Sequence, residues 1–384
     1  RALLIVHGNM AVYHLVVFVT LFVIVCQHSV ASTLRSTFYR QIDSLLNNGI
    51  LSKFTDDQTM PPQPREVPGW GANLKLGQVT GVAVNNVGQP VIFHRGPRVW
   101  DSKSFNETHY FQHRSQGPIR EDTVIILDPR TGDVLNSWGR DLFYLPHGIT
   151  VDPEGNTWLT DVALHQVFKF SPGAMRPALT FGQRFKPGHG VRQLCKPTSV
   201  AVARSGEAFI ADGYCNSRIL KYNADGDLIR IFPQQQEFLS LEIPHSLALL
   251  EHRDLLCIAD RDDMRVACVG AQLHDPGSRH NPVFTIQQPD MGRVYGIAAH
   301  GDLVYAVNGP TSALIPVQGF TLDPLAETVL DHWRPVHGVF QNPHDIAISQ
   351  DGAALYVVET GPNKVWKFLL RDQEEEVNMD GNAL

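Results

Sequence analysis

One pattern of short β-rich runs repeats along most of the chain. Each copy has an apolar run, a turn, a second run that ends in an acidic or polar residue, a loop and a third run, as in residues 148–170, 199–222 and 345–368. Six copies recur at a spacing of roughly 50 residues, which is typical of propeller blades. Because one blade cannot bury both of its faces alone, the blades must close into a ring. The sequence therefore predicts an all-β fold, a six-bladed β-propeller, with no helix after the N-terminal region.

The repeat resembles the NHL type and sets the domain boundaries. Residues 69–371 are predicted to form the propeller, after a polar segment with a Pro-rich linker at 32–68 and before an acidic, disordered tail at 372–384. Residues 1–31 are interpreted as upstream residues plus a signal peptide, because the apolar run 15–26 is followed by small residues. A signal-anchor helix is the alternative for that run.

The cysteines suggest two disulfide bonds. Four cysteines remain beyond the predicted signal peptide, and an even number in an exported chain is typical of a disulfide framework. Three pairings are possible. The local pairing, Cys195 with Cys215 and Cys257 with Cys268, is predicted because it closes two short loops; buried free thiols are the alternative.

Targeting signals favour an exported protein, and the net charge argues against a nucleic-acid binder. The formal net charge is −7, too acidic for electrostatic binding of nucleic acid. Asn106 begins an N-glycosylation sequon, which matters only in an exported chain. We therefore expect a secreted protein, or one in the lumen of the secretory pathway, that is a monomer with no stable membrane span after signal cleavage.

Three histidines occupy one equivalent position in alternate repeats. His147, His245 and His344 each follow a proline and precede the opening run of blades two, four and six. In a six-bladed ring these positions lie about 120° apart around the central channel. Three imidazoles with an open fourth position form the ligand set of a catalytic zinc site. A Pro-His pair can also simply end a loop, but three at matching positions favour bound Zn²⁺.

A second set of oxygen ligands follows one residue later. Asp345 and the main-chain carbonyls of Val82 and Ile149 belong to blades six, one and two, which are neighbours in the ring. Mixed carboxylate and carbonyl oxygens are what Ca²⁺ prefers. The alternative role for Asp345 is to orient one of the histidines.

Two arginines and a tyrosine are expected on the same face as the histidines. Arg95, Tyr214 and Arg261 follow the second run of blades one, three and four. A tyrosine beside arginines in a dry site can lose its proton more readily and act as a base. A surface ion pair and a packed ring are the alternatives. The acidic residues that end the second runs are interpreted as structural residues that hold loops: Asp161, Asp212 and Asp260.

Several long strings resemble the peptidyl-α-hydroxyglycine α-amidating lyase family, from about residue 79 to residue 370. They are Val91–Gly96, Leu142–Gly148, Thr160–Phe168, Asp212–Arg218, Pro244–Leu247 and Pro343–Ile346. The resemblance implies a zinc-dependent lyase that cleaves the carbon–nitrogen bond of a peptidyl-α-hydroxyglycine, giving an α-amidated peptide and glyoxylate. It also implies a stand-alone lyase that receives hydroxylated peptide from a separate copper monooxygenase.

The resemblance assigns roles residue by residue. It implies that Tyr214 is the catalytic base, with Arg95 beside it and Arg261 as a further active-site arginine. It implies zinc ligands at His147, His245 and His344, and calcium ligands at Val82, Ile149 and Asp345. It also implies the disulfides Cys195–Cys215 and Cys257–Cys268. Asn342 stands where the family usually has methionine, so we expect a more polar wall there. The alternatives are a calcium-dependent propeller lactonase and a non-enzymatic NHL binding module.

Overall fold

The computed structural model describes residues 61–233, 239–273 and 283–370. In these ranges the chain folds into six four-stranded antiparallel sheets. The first strands of neighbouring sheets contact one another all the way round, so the six sheets close into a ring. This arrangement confirms the predicted six-bladed propeller. The predicted signal peptide and the acidic tail lie outside the described residues.

The first three blades are built from consecutive strands. Blade one comprises β2 (Val79–Val84), β3 (Pro90–His94), β4 (Val124–Leu127) and β5 (Val134–Trp138); blade two, β6 (Pro146–Val151), β7 (Thr157–Asp161), β8 (Gln166–Phe170) and β9 (Leu179–Gly182); blade three, β10 (Ser199–Val202), β11 (Ala208–Asp212), β12 (Arg218–Tyr222) and β13 (Leu228–Phe232).

Blades four to six follow the same plan, except that the outermost strand of blade six precedes blade one in the sequence. Blade four comprises β14 (Pro244–Leu250), β15 (Leu255–Asp260), β16 (Arg265–Gly270) and β17 (Val283–Ile286); blade five, β18 (Val294–His300), β19 (Leu303–Asn308), β20 (Gly319–Asp323) and β21 (Thr328–Trp333); blade six, β22 (Pro343–Ile348), β23 (Ala354–Glu359), β24 (Lys364–Leu369) and, outermost, β1 (Arg65–Glu66).

The ring is closed by a strand from the opposite end of the chain. Arg65 of β1 pairs with Leu369 of β24, and Glu66 pairs with Phe368. A side-chain oxygen of Glu66 also accepts the main-chain N–H groups of Val336 and His337. The segment that the sequence assigned to a linker, 32–68, thus supplies the outer strand of blade six.

The core lies between the faces of neighbouring blades. Phe209 and Phe232 of blade three, for example, pack with Leu256 and Ile258 of blade four. A middle strand of a blade packs against a neighbouring blade on each of its two faces. Strand β15 is therefore buried at every position, and its sequence is a nearly continuous apolar run instead of an alternating one. Both predicted disulfides are present, and the Cys257–Cys268 bond joins directly paired residues of β15 and β16.

Within residues 61–233, 239–273 and 283–370, helical structure is limited to single turns. A helix α1 spans Gly213–Asn216, and two 3₁₀ turns span Arg114–Gln116 and Glu251–Arg253. The prediction of no helix was therefore wrong at α1, because four residues are too few to show a helical period. No helix in the described ranges is long and apolar enough to cross a membrane.

The last residue of the second strand of each blade lies at the end of the ring where the three histidines lie, next to the loops of that end. In five blades this residue is a buried acid or amide, and in blade one it is a histidine: His94, Asp161, Asp212, Asp260, Asn308 and Glu359. The carboxylate of Asp161 accepts the main-chain N–H groups of Tyr144, Leu145, Ala163 and Leu164. The structural role expected for the acids is thus visible, and at Asp161 it fixes the chain that leads into β6.

Replacing Asp161 with alanine is expected to destabilise the propeller strongly. Four buried N–H groups would lose their acceptor, and each unsatisfied donor costs ~1–3 kcal/mol. With some water entry we expect the free energy of unfolding to fall by at least ~3 kcal/mol, measured by urea denaturation. Asp225→Ala is the matched control, since Asp225 is exposed in the turn between β12 and β13 and its replacement should change stability by less than ~1 kcal/mol. Equal losses in the two variants would contradict the role assigned to Asp161.

Candidate metal centre and catalytic cleft

The three predicted histidines meet at one end of the central channel. His147, His245 and His344 are buried at the starts of β6, β14 and β22, and their ring centroids lie 4.8–4.9 Å apart. One ring nitrogen of each lies within 4.8 Å of the others. A break in strand register at the start of each of these strands leaves the histidine out of the ladder. The three imidazoles therefore point together.

The other three blades hold the histidine rings in place. The Nδ1 atoms of His147, His245 and His344 lie 2.9, 2.7 and 2.6 Å from the main-chain oxygens of Thr198, Tyr295 and Thr80. Because a carbonyl oxygen only accepts, each Nδ1 must carry the proton, and each Nε2 presents a lone pair. These three acceptors are the equivalent residues of blades three, five and one. Blades that carry a histidine thus alternate with blades whose main-chain carbonyl groups hold the histidine rings.

One glycine makes this support possible. A Cβ atom on Gly148 would lie 2.3 Å from the carbonyl oxygen of Thr198, the acceptor for His147. Any larger residue at this position would push the two strands apart and break that hydrogen bond. The Pro-His-Gly sequence of blade two therefore follows from the close approach of β6 and β10.

Burial keeps the triad neutral. Burial is the main cause that lowers the pKa of each histidine, and it takes that of His344 to about 3, with the positive charge of Arg95 as the next cause. The pKa values of His147 and His245 also fall well below their ordinary value, with the neighbouring His344 as the next cause. Neutral imidazoles with free Nε2 lone pairs are what a divalent cation such as Zn²⁺ requires. The residues present therefore fit a metal with three protein ligands.

Tyr214 reaches the triad from α1. Its hydroxyl oxygen lies 3.1 Å from Nε2 of His147 and 3.1 Å from Nε2 of His245. Burial raises the pKa of Tyr214, while the charges of Arg261 and Arg95 lower it in part. The two arginines thus act in the direction expected from the sequence, but desolvation of the phenolate is the larger effect. A further positive charge is needed at this place for Tyr214 to ionise readily.

Both predicted arginines flank Tyr214, but they are held differently. Arg95 is fully buried, and it donates from Nε to the Pro146 oxygen (2.9 Å) and from Nη1 to Gln78 (2.7 Å). Burial lowers its pKa to about 10, so it stays charged at neutral pH. Arg261 lies against the rings of Tyr214 and Tyr295, with its Cζ 5.2 and 5.1 Å from their centroids. It also pairs with Asp262 at 3.0 Å.

Sequence reasoning missed an aromatic wall. The ring of Trp100 lies 4.9 Å from that of Tyr214 and 6.2 Å from that of His147, and it packs at 5.4 Å on Phe105. The Cζ atom of Arg95 lies 5.3 Å from the same ring. These aromatic residues come from the long connection between β3 and β4. An insertion directly after Arg95 was the available signal, since a long loop there can only fold over the histidine face.

The proposed calcium ligands line the channel next to the triad. One carboxylate oxygen of Asp345 accepts the N–H of Val82 at 3.1 Å. Asp345, Val82 and Ile149 all line a cavity of about 300 Å³ formed by the inner strands, and burial raises the pKa of Asp345 to about 7. The alternative that Asp345 orients a histidine is wrong, because all three Nδ1 atoms are bound to carbonyls.

Asn342 is also placed by the fold. Its N–H donates to the carboxylate of Glu359, and a Cβ atom on Gly361 would lie 2.3 Å from its side-chain nitrogen. The side chain therefore lies against Gly361 in the loop between β23 and β24. Methionine is longer than this amide and would need a different path past that loop.

Comparison with known proteins gives a consistent result. Residues 194–222 match the NHL repeat family. The chain is 54% identical over 314 residues to Peptidyl-alpha-hydroxyglycine alpha-amidating lyase 2 of Drosophila melanogaster, covering 80% of this chain and 76% of that protein. It is 44% identical to lyase 1 of the same organism, covering 82% and 61%.

Two further matches are more distant. The chain is 40% identical to the Peptidylglycine alpha-amidating monooxygenase of Rattus norvegicus, covering 79% of this chain and only 32% of that protein. Among solved structures, the nidogen/laminin complex contains a chain with a TM-score of 0.50 and 15% identity, covering 70% of this chain and 84% of that one. At that identity the structural likeness supports the propeller fold alone.

Proposed function

The chain belongs to the peptidyl-α-hydroxyglycine α-amidating lyase family, and we propose that its carbon–nitrogen lyase reaction takes place at a Zn²⁺ ion held by His147, His245 and His344. The observation that carries this proposal is the fixed tautomer of the triad. Three carbonyls bind the three Nδ1 atoms, so three neutral Nε2 lone pairs converge. Three nitrogen ligands leave a position for substrate, as catalytic zinc sites require.

The reaction needs few groups. In the substrate, the carbon between the amide nitrogen and the carboxylate carries a hydroxyl group. The hydroxyl proton leaves, the carbon–nitrogen bond breaks, the carbon–oxygen bond becomes double, and the departing nitrogen gains a proton. Glyoxylate and a peptide amide result, with no change in oxidation state. Bound zinc supplies Lewis-acid polarisation of the hydroxyl.

The chain's own residues supply the base and the anchors. We assign the proton acceptor role to Tyr214, because its hydroxyl group lies beside two ligand nitrogens. Arg95 is buried and charged close to Tyr214, where it favours the phenolate. Arg261 has N–H groups beyond those that bind Asp262, and a guanidinium can hold a carboxylate through two parallel bonds. Arg261 is therefore our candidate for binding the substrate carboxylate. The ring of Trp100 covers Tyr214 and Arg95 and keeps water from them.

A structural Ca²⁺ is proposed in the channel beside the triad. Asp345 lines the channel, where desolvation raises its pKa to about 7, and no ion pair with it is present in the described part of the chain; such a carboxylate is costly unless a cation neutralises it. Its oxygen and the carbonyls of Val82 and Ile149 provide the hard oxygen ligands that calcium takes. The ion would tie blades one, two and six together next to His344.

The proposed setting is the lumen of the secretory pathway or the extracellular space. The two disulfide bonds fit an oxidising compartment. The exposed side chain of Asn106 accepts the N–H and hydroxyl of Thr108, which leaves its amide nitrogen available for glycosylation. We propose that the chain acts as a monomer on hydroxylated peptides from a separate copper monooxygenase.

A combined activity and metal analysis tests this proposal. Purified protein is given a synthetic peptidyl-α-hydroxyglycine, and glyoxylate is measured above the spontaneous rate. We expect rapid glyoxylate release, with about one zinc and about one calcium per chain by elemental analysis. Protein that contains calcium but no zinc and still releases glyoxylate at the full rate would contradict the zinc site.

A further inference from the structure

The connection between blades two and three is strongly basic. Residues 183–196 carry Arg184, Lys186, Arg192 and Lys196 and no acidic residue. Within the described parts of the chain, none of these four side chains forms an ion pair. The connection lies on the histidine face, since it runs from the end of β9 to the start of β10. A chain with net charge −7 thus presents unpaired positive charge beside its catalytic cleft.

Lys196 is the member of this group that lies deepest. Its ammonium lies 5.0 Å from the ring centroid of Phe105 and 5.8 Å from that of Tyr214. The neighbouring Cys195 is bonded to Cys215, which directly follows Tyr214, so the disulfide holds this lysine beside the catalytic tyrosine. Burial lowers the pKa of Lys196, which reports the cost of removing an unpaired ammonium from water.

Other groups do not neutralise this charge. The carboxylate of Asp101, in the connection that also carries Phe105, accepts the N–H of Lys103 and the hydroxyl of Ser104 instead. The main-chain N–H of Lys196 donates to His165, but that bond leaves the ammonium unchanged. Among the residues that the structure describes, this half-buried ammonium at the cleft therefore has no ion-pair partner.

Lys196 approaches the triad from the side of Phe105. Arg95 binds the oxygen of Pro146, the residue before His147. Lys196 instead lies on Phe105, whose ring packs on Trp100, and the ring of Trp100 in turn lies 6.2 Å from that of His147. On the proposed function, in which the arginines act on the α-hydroxyglycine, Lys196 is the cation available to the residue that precedes it.

This inference rests on the proposed function. We propose that Lys196 binds the side-chain carboxylate of the residue that precedes the α-hydroxyglycine, and that Arg184, Lys186 and Arg192 attract acidic residues farther along the peptide. The chain is thus a lyase for acidic peptides. A half-buried ammonium beside aromatic rings pairs well with a carboxylate, because the pair is shielded from water on one side.

Three matched peptides test the subsite. They differ only in the residue before the α-hydroxyglycine, which is Glu, Gln or Lys, and kcat/KM is measured from glyoxylate release. For the wild-type protein we expect the Glu peptide to exceed the Gln peptide by ~10-fold, which corresponds to about 1.4 kcal/mol, and the Lys peptide to be slowest. Added salt should reduce the preference.

Variants assign the preference to one side chain. Lys196→Gln should bring the Glu-to-Gln ratio close to one, mainly through KM, while Lys196→Arg should keep most of it. Lys75→Gln is the matched control, because Lys75 is exposed beside the outer strands of blade one, and its ratio should equal that of the wild type.

The outcomes separate this inference from the proposed function. Absence of glyoxylate from all three peptides would overturn the lyase reaction and the subsite with it. Release from all three peptides with equal kcat/KM in the wild type would overturn the subsite alone. An unchanged preference in Lys196→Gln would also overturn it, and this comparison needs only folded protein with measurable activity.

Discussion

Replacing His245 with alanine is expected to abolish glyoxylate release and to lower bound zinc well below one equivalent per chain. The triad holds three neutral Nε2 atoms together, and two of them cannot keep the ion at the same affinity. Loss of Lewis-acid polarisation removes several kcal/mol of transition-state stabilisation, so we expect at least a ~10³-fold loss in kcat/KM.

The control for this variant is another histidine. His252 lies in the 3₁₀ turn Glu251–Arg253 and pairs with the exposed Asp302. His252→Ala should keep zinc and activity close to the wild-type values. The zinc assignment would be contradicted if His245→Ala retained a full equivalent of zinc while folded.

Replacing Tyr214 with phenylalanine is expected to lower kcat by ~10²–10⁴-fold, the range that general acid–base catalysis supplies. The ring contacts with Trp100 and His147 would remain, because only the hydroxyl is removed. Zinc content and the thermal unfolding midpoint should therefore stay close to the wild-type values. A loss in kcat with retained zinc separates the base from the metal ligands.

A second tyrosine serves as the comparison. Tyr110 lies exposed in the connection between β3 and β4, and Tyr110→Phe should leave kcat unchanged. If Tyr214→Phe kept more than about a tenth of the wild-type kcat, the base role would have to move to another group.

The repeat predicted the fold because a propeller is built from copies of one unit. Each blade repeats the same apolar runs, so six copies fixed the blade number and the location of the histidine face. The outer strands were not predicted, since β5 is largely solvent-exposed, β21 is mostly half-buried, and neither has a strong apolar pattern. Strand β1 was missed for a related reason: two residues, Arg65 and Glu66, carry too little pattern to reveal pairing with β24.

The candidate site was predicted in part. Equivalent positions in alternate repeats identified His147, His245 and His344, and the structure brings them together. The sequence could not show that Thr80, Thr198 and Tyr295 support them, because a main-chain carbonyl has no side-chain signature. Trp100 and Lys196 were missed because an insertion and a disulfide place them, and neither follows the repeat.

The electrostatic balance at Tyr214 also needed the structure. The sequence placed two arginines near this tyrosine, and that proximity is present. Whether the phenol becomes more or less acidic depends on the depth of burial, which a repeat pattern does not give. Burial proves to be the larger effect.

Zinc titration of chelator-treated protein tests the central claim most directly. Bound metal is removed, calcium is restored, and the rate of glyoxylate release is measured as zinc is added in sub-stoichiometric steps. The triad predicts a rate that rises in proportion to zinc and levels off at about one equivalent per chain, with no such rise in His245→Ala. A full rate without zinc, or the same rise in His245→Ala, would contradict it.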